Sequence, residues 1–129
     1  MRMELCEYPC RGKIRSFEIE AIQIPIVYNK YGDHDPDGLL YVLEKDAERI
    51  KREALANFHQ EIPQPCEEVK PLVLRVNLGD EVHVRFRHSL DRPLSIHVQG
   101  LAYHVQSSDG ASVGYNMDSA TKSEIDYVW

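Results

Sequence analysis

The sequence predicts an all-β fold carrying one inserted helix. Apolar and polar residues alternate from Leu72 to Arg87 around a Gly79-Asp80 turn, as they do in strands with one face against a core. Residues 17 to 29 are rich in Ile, Val and aromatic side chains, the composition of a strand. Only residues 41 to 58 change to the helical period.

The first strand is FEIEAIQIPIVYN, residues 17 to 29, where Phe17, Ile19 and Ala21 alternate with Glu18 and Glu20. Pro25 places it at a sheet edge or splits it, because proline has no N–H to give to a ladder. KYGDHDPDG, residues 30 to 38, follows as a polar turn. In the helix, Leu43, Ala47, Ile50, Ala54 and Phe58 recur at three- and four-residue intervals and draw one apolar stripe, with Glu48 and Arg52 as an i to i+4 pair on the solvated side. The proline-rich QEIPQPCEEVKP reads as a surface loop. The period then becomes two. Leu72, Leu74, Val76 and Leu78 face one way, and after the Gly-Asp turn a second strand with Val82, Val84 and Phe86 inward hairpins back onto the first. Asp91-Arg92-Pro93 breaks the chain, LSIHVQG forms a third strand closed by Gly100, and EIDYVW is a last strand-like piece.

With 129 residues the chain has the size of one domain, able to bury about two thirds of the surface of its unfolded form. Its 43% apolar and 28% charged content is that of a globular protein, and no apolar run nears the ~20 residues that span a bilayer, so no membrane span is expected. A net charge of −6 with scattered Lys and Arg argues against nucleic acid as a partner, since phosphates need clustered cations. MRMELCEYPCRGKIRS lacks the apolar core of a secretory signal, and export by that route is not expected. Cys6, Cys10 and Cys66 make neither a C-x-x-C pair nor an even set, which leaves open a bridge from Cys6 or Cys10 to Cys66. Neither a G-x-S-x-G elbow nor a glycine-rich phosphate loop supports hydrolase chemistry.

Two constellations could carry chemistry. In the third strand Leu94, Ile96 and Val98 point one way and Ser95, His97 and Gln99 the other, so His97 and Gln99 share a polar face, and Gly100 lets another backbone come close. Such a pair is half of a metal site: imidazole suits copper, zinc or iron, while the Gln amide is a weak ligand. The same pattern fits a histidine merely satisfied on a sheet face. Independently, Asp33, Asp35, Asp37, Gly38 and Glu44 satisfy D-x-D-x-D-G-x5-E, the spacing of a calcium loop, with the Leu39 carbonyl at its seventh position and a helix after it. The alternative is an Asp-rich turn whose side chains bond their own backbone and cap the helix. His83 and His88 read as surface groups, and His104 reaches His97 only if the chain folds back after Gly100.

The stretch PLVLRVNLGDEVHVRFRHSLDRPLSIHVQGL resembles the first cupredoxin domain of multicopper oxidases, in which a strand, a Gly-Asp turn, a strand and a His-x-His-Gly motif follow in that order. RPLSIHVQG and SSDGAS are most similar to ceruloplasmin-like, multi-domain members, including the bacterial manganese-oxidising ones, and SEIDYVW resembles the family's Tyr-x-Trp strand. The resemblance implies a cupredoxin-like (plastocyanin-like) Greek-key β-sandwich over residues 17 to 129, incomplete on its C-terminal side, after an extension of residues 1 to 16. It implies that His97 binds the type 2 copper of a trinuclear centre that reduces dioxygen to water. Gln99 stands where the family has a second histidine, a type 3 copper ligand, and the His-Cys-His segment that joins a type 1 copper to the cluster does not occur.

The implied activity, oxidation of metal ions such as Mn(II) or of phenolics, therefore belongs to a larger protein. Its partners would be other cupredoxin domains of the same or another chain, and its cofactor copper, with calcium at Asp33, Asp35, Asp37, Leu39 and Glu44 as a second metal. The family's habit is extracellular or at a cell or spore surface. Two other classes fit the residues: a non-catalytic cupredoxin-like module for structure or assembly, stabilised by calcium, and a small copper carrier using surface histidines.

Overall fold

The computed structural model describes residues 12 to 111 and 124 to 129. Four strands make one mixed sheet in the order β2-β1-β3-β4. β1 (Ile14–Val27) pairs antiparallel with β2 (His34–Leu43) and parallel with β3 (Glu81–His88), and β3 pairs antiparallel with β4 (Glu124–Val128). A 3-10 turn at Glu44–Asp46 leads into α1 (Ala47–Phe58), and a four-residue helix, α2 (Val105–Ser108), precedes the Asp109-Gly110 turn. The architecture is thus mainly β with one helix of substance. No helix among the described residues is long and apolar enough to cross a membrane.

β1 is buried on both faces from Ile19 to Ile22, the mark of a strand covered on both sides, and it divides the core in two. On one face Ile19 and Ala21 join Val82, Val84, Phe86 and Tyr127. The expected inward alternation of β3 is present, with Phe86 at 0% exposure. On the other face Ile22, Ile24 and Val42 receive Ala47, Ile50 and Ala54, the helical stripe read from the sequence. Glu48 pairs with Lys51 at 3.0 Å rather than with Arg52.

Several expectations are corrected. Residues 72 to 78 make no ladder among the described residues, although Leu72 and Leu74 do pack on the β3 face of the core. Both edges of β3 are already taken by β1 and β4, so a hairpin partner has nowhere to pair. LSIHVQG likewise makes a single bridge, at Leu94, and its Leu94 and Ile96 lie over the same face. β1 starts at Ile14, three residues earlier than expected, and Pro25 sits at a bulge between Ile24 and Ile26, beyond the stretch that pairs with β3. The polar turn shrinks to residues 28 to 33, and residues 34 to 43 are strand, not turn and helix start. Leu40 and Val42 explain this: as strand residues opposite Ile22 and Glu20 they reach the core under α1. His88, expected at the surface, is 3% exposed because it continues the inward alternation of Val82, Val84 and Phe86.

The Gly-Asp turn is present. Asp80 N–H donates to Asn77 O at 3.1 Å, and Gly79 takes a φ of 90°, which a glycine adopts at no steric cost. The Asp80 carboxylate then clamps the start of β1. It accepts from Asn77 N, Lys13 N and Arg15 Nε, each at 2.9 Å. These donors, Asn77 first and then Arg15 and Lys13, hold the Asp80 carboxyl below its ordinary range.

Candidate functional site

After Gly100 the chain folds back and brings Tyr103 and Asp109 against His97. The His97 Nδ1 lies 2.8 Å from the backbone carbonyl oxygen of Asp109. A carbonyl only accepts, so Nδ1 carries the proton in this pair and the Nε2 lone pair has no partner among the described residues. The His97 side chain is 39% exposed.

The close approach is made by Gly110. Its φ is 71°, and a Cβ there would fall 1.7 Å from the Ile96 carbonyl oxygen. Ser95 Oγ donates to Gly110 O, and Ile96 N–H donates to the Tyr127 hydroxyl at 3.2 Å, which fixes the two residues just before His97. The 108 to 110 turn is tied in turn to the end of β4: Val128 N donates to Ser108 Oγ at 3.1 Å and Trp129 Nε1 to Ser108 O at 3.0 Å.

Around Asp109 the contacts converge. Tyr103 donates its hydroxyl to Oδ1 at 2.8 Å, Ala111 N donates to Oδ2 at 3.1 Å, and Oδ1 lies 3.7 Å from His97 Nδ1. The Tyr103 ring stands edge-on to His97, at 6.4 Å between centroids and 84°. Its hydrogen bond to the Asp109 carboxylate holds the Tyr103 phenol above the ordinary tyrosine range.

The other candidates are dispersed. Gln99 is exposed beside Gly100, whose φ of 83° requires glycine; nothing lies within 4 Å of a Cβ there, so the expected close approach occurs at Gly110 instead. His104 pairs with Ser107 Oγ at 3.1 Å, and His83 with Glu81 at 2.6 Å. The calcium-loop residues do not gather. Asp33 bonds Asn29 in the β1–β2 turn, Asp35 accepts from Asp37 N, Asp37 from Gln23, and Glu44 pairs with Arg87. A strand rises ~3.3 Å per residue, so Asp33 and Glu44 are separated by on the order of 30 Å. Among the described residues no group of three or more His, Cys, Asp or Glu side chains could hold a metal ion. Cys66 is half-buried, and the bridge suggested to Cys6 or Cys10 lies outside the described residues.

Asp109 and Tyr103 were not singled out by spacing, since they stand 12 and 6 residues from His97 and belong to no repeat. The signal that points to them is the Asp-Gly dipeptide of SSDGAS, which marks a turn with positive φ. The chain matches no protein-family model and no curated protein.

Proposed function

We propose that this chain is the N-terminal cupredoxin-like domain of a multicopper oxidase, or a piece of that domain, and that His97 supplies one copper ligand at the edge of a site completed by another domain. The observation that carries the reading is the His97 ring itself. Metal-ligating histidines characteristically give one ring N–H to a carbonyl or carboxylate and present the other nitrogen to the metal. His97 has this arrangement, with Nδ1 on the Asp109 carbonyl and Nε2 without a partner among the described residues on a side chain that is partly exposed.

The finer architecture of the reading, a Greek-key sandwich, is supported by the layer that Leu72, Leu74, Leu94 and Ile96 form over one face of the sheet. An open apolar groove of about 440 Å³, lined by Leu39, Tyr41, Leu72, Ile96, Val98 and Trp129 among others, runs between that layer and the sheet, as in a sandwich whose second sheet is incomplete. One imidazole fits copper, whereas the exposed Gln99 amide is a poor ligand, so this chain contributes a ligand and not a centre. In the complete protein, copper held there would serve the reduction of dioxygen coupled to oxidation of Mn(II) or a phenolic. The chain's own part is to hold the His97 ring in one orientation and tautomer.

Replacing His97 by Ala in the natural full-length polypeptide tests this. Copper content by elemental analysis should fall and substrate-dependent dioxygen consumption should stop. A variant that keeps all its copper and turnover sinks the assignment. Gln99, in the place of the family's second histidine, favours a second reading, a structural module without copper, and retained copper-free behaviour of the wild type would select it.

A further inference from the structure

The geometry points to Tyr103 as the positioning residue of His97, an inference that rests on the reading of His97 as a metal ligand. A neutral imidazole can carry its proton on either nitrogen and can pivot about its side chain, so a histidine that must offer one nitrogen in one direction needs more than a single contact. The hydrogen bond from Nδ1 to the Asp109 carbonyl is one contact. It holds only while the Asp109 backbone stays where it is.

Tyr103 touches both members of this pair. Its ring edge packs against the His97 ring, and its hydroxyl bonds the Asp109 Oδ1. With Ala111 N on Oδ2, both carboxylate oxygens of Asp109 are held, and the carbonyl of the same residue is aimed at Nδ1. Oδ1, at 3.7 Å from Nδ1, is the nearest competing acceptor, and the Tyr103 hydroxyl occupies it. Tyr103 thus selects the carbonyl over the carboxylate as acceptor and blocks one direction of ring rotation. It acts through Asp109 and the ring and is not a ligand. Both it and Asp109 come from the segment that folds back after Gly100, so the brace forms with the turn itself.

The test uses the metal-free chain and long-range proton–nitrogen NMR of the histidine rings at pH about 8, above the ordinary histidine range. In the wild type His97 should be the Nδ1–H tautomer, with one set of ring signals. In Tyr103→Phe the freed Oδ1 becomes a second acceptor for Nδ1–H, so the tautomer is kept while the His97 ring signals go from one set to two or broaden by exchange, and the core signals of Phe86 and Tyr127 stay in place. Asp109→Ala, which removes the partner of the hydroxyl, should also release the ring from its single orientation, and Asp109→Asn, which keeps an oxygen for Tyr103, should largely preserve the single set. One sharp set of His97 ring signals in both Tyr103→Phe and Asp109→Ala overturns the proposal. Should Tyr103→Phe fail to fold, the Asp109→Ala and Asp109→Asn pair decides alone. None of these outcomes depends on copper, so failure here is separate from failure of the His97→Ala copper test.

Discussion

The carbonyl oxygen of Ile96 lies 1.7 Å from the point a Cβ on Gly110 would occupy. Two stretches of backbone are therefore in contact at the residue before His97, and only glycine permits it.

Gly110→Ala must shift one of these backbones and also place a side chain at a φ of 71°. The strain alone costs about 2 kcal/mol. Thermal unfolding should show a Tm lower by roughly 5 °C or more. A variant that melts with the wild type would mean that the turn has room to move.

Asp80 gives the fold a dependence on acid. Its folded-state pKa lies below its unfolded one, so the unfolded chain binds the proton more readily, and stability rises with pH between the two values. The contribution is complete above about pH 5 and is lost as pH falls through ~3.9 toward the folded value. Asp80→Asn should be less stable at pH 7, and the difference should shrink on acidification. Parallel stability curves for the two proteins from pH 7 to 3 would contradict the clamp.

Phe86 and Tyr127 are fully buried on the same face, and each tests a different force. Phe86→Ala should lose about 3 to 5 kcal/mol, transfer and cavity together. Tyr127→Phe keeps the ring and removes the acceptor of the Ile96 N–H, so its loss should be near ~1 kcal/mol. Urea unfolding measures both, and equal losses would show that the Tyr127 hydroxyl carries as much as the whole Phe86 ring, against this assignment of forces.

Arg87 on β3 joins β1 and the turn that precedes α1 through charge. It lies 3.3 Å from Glu20 and 2.8 Å from Glu44, and Glu20, with its side chain only 10% exposed, has Lys51 at 3.6 Å as its second cation. Either Arg87→Leu or Lys51→Ala leaves Glu20 one cation, and each should cost on the order of 1 kcal/mol. Together they leave a buried carboxylate without either, and the double variant should lose more than the two single losses combined. Additive losses would mean that Glu20 is solvated well enough to need neither.

Periodicity made much of this fold legible in the sequence. Val82, Val84 and Phe86 are inward as their spacing of two requires, whereas His88, read from the sequence as a surface group, follows the same spacing into the core. Ala47, Ile50 and Ala54 cover the sheet as their helical stripe requires, and the Gly79-Asp80 turn is where glycine and aspartate place it. These features were readable because each depends on residues within a turn or two of one another.

What only the tertiary structure decided is the pairing of segments. Alternation says which side of a strand is apolar but not which strand lies beside it. β3 therefore takes β1 and β4 in place of the adjacent residues 72 to 78. The Asp33 to Glu44 spacing matched a calcium loop residue by residue, yet β1 offers a long apolar partner to Leu40 and Val42, and burying them in a ladder wins over a loop held together only by a metal. His97 was visible as a candidate from its own strand pattern. Its Asp109 and Tyr103 contacts were not, because a glycine turn 13 residues downstream, at Gly110, brings them there by fitting against Ile96, and such a fit exists only once both backbones are in place.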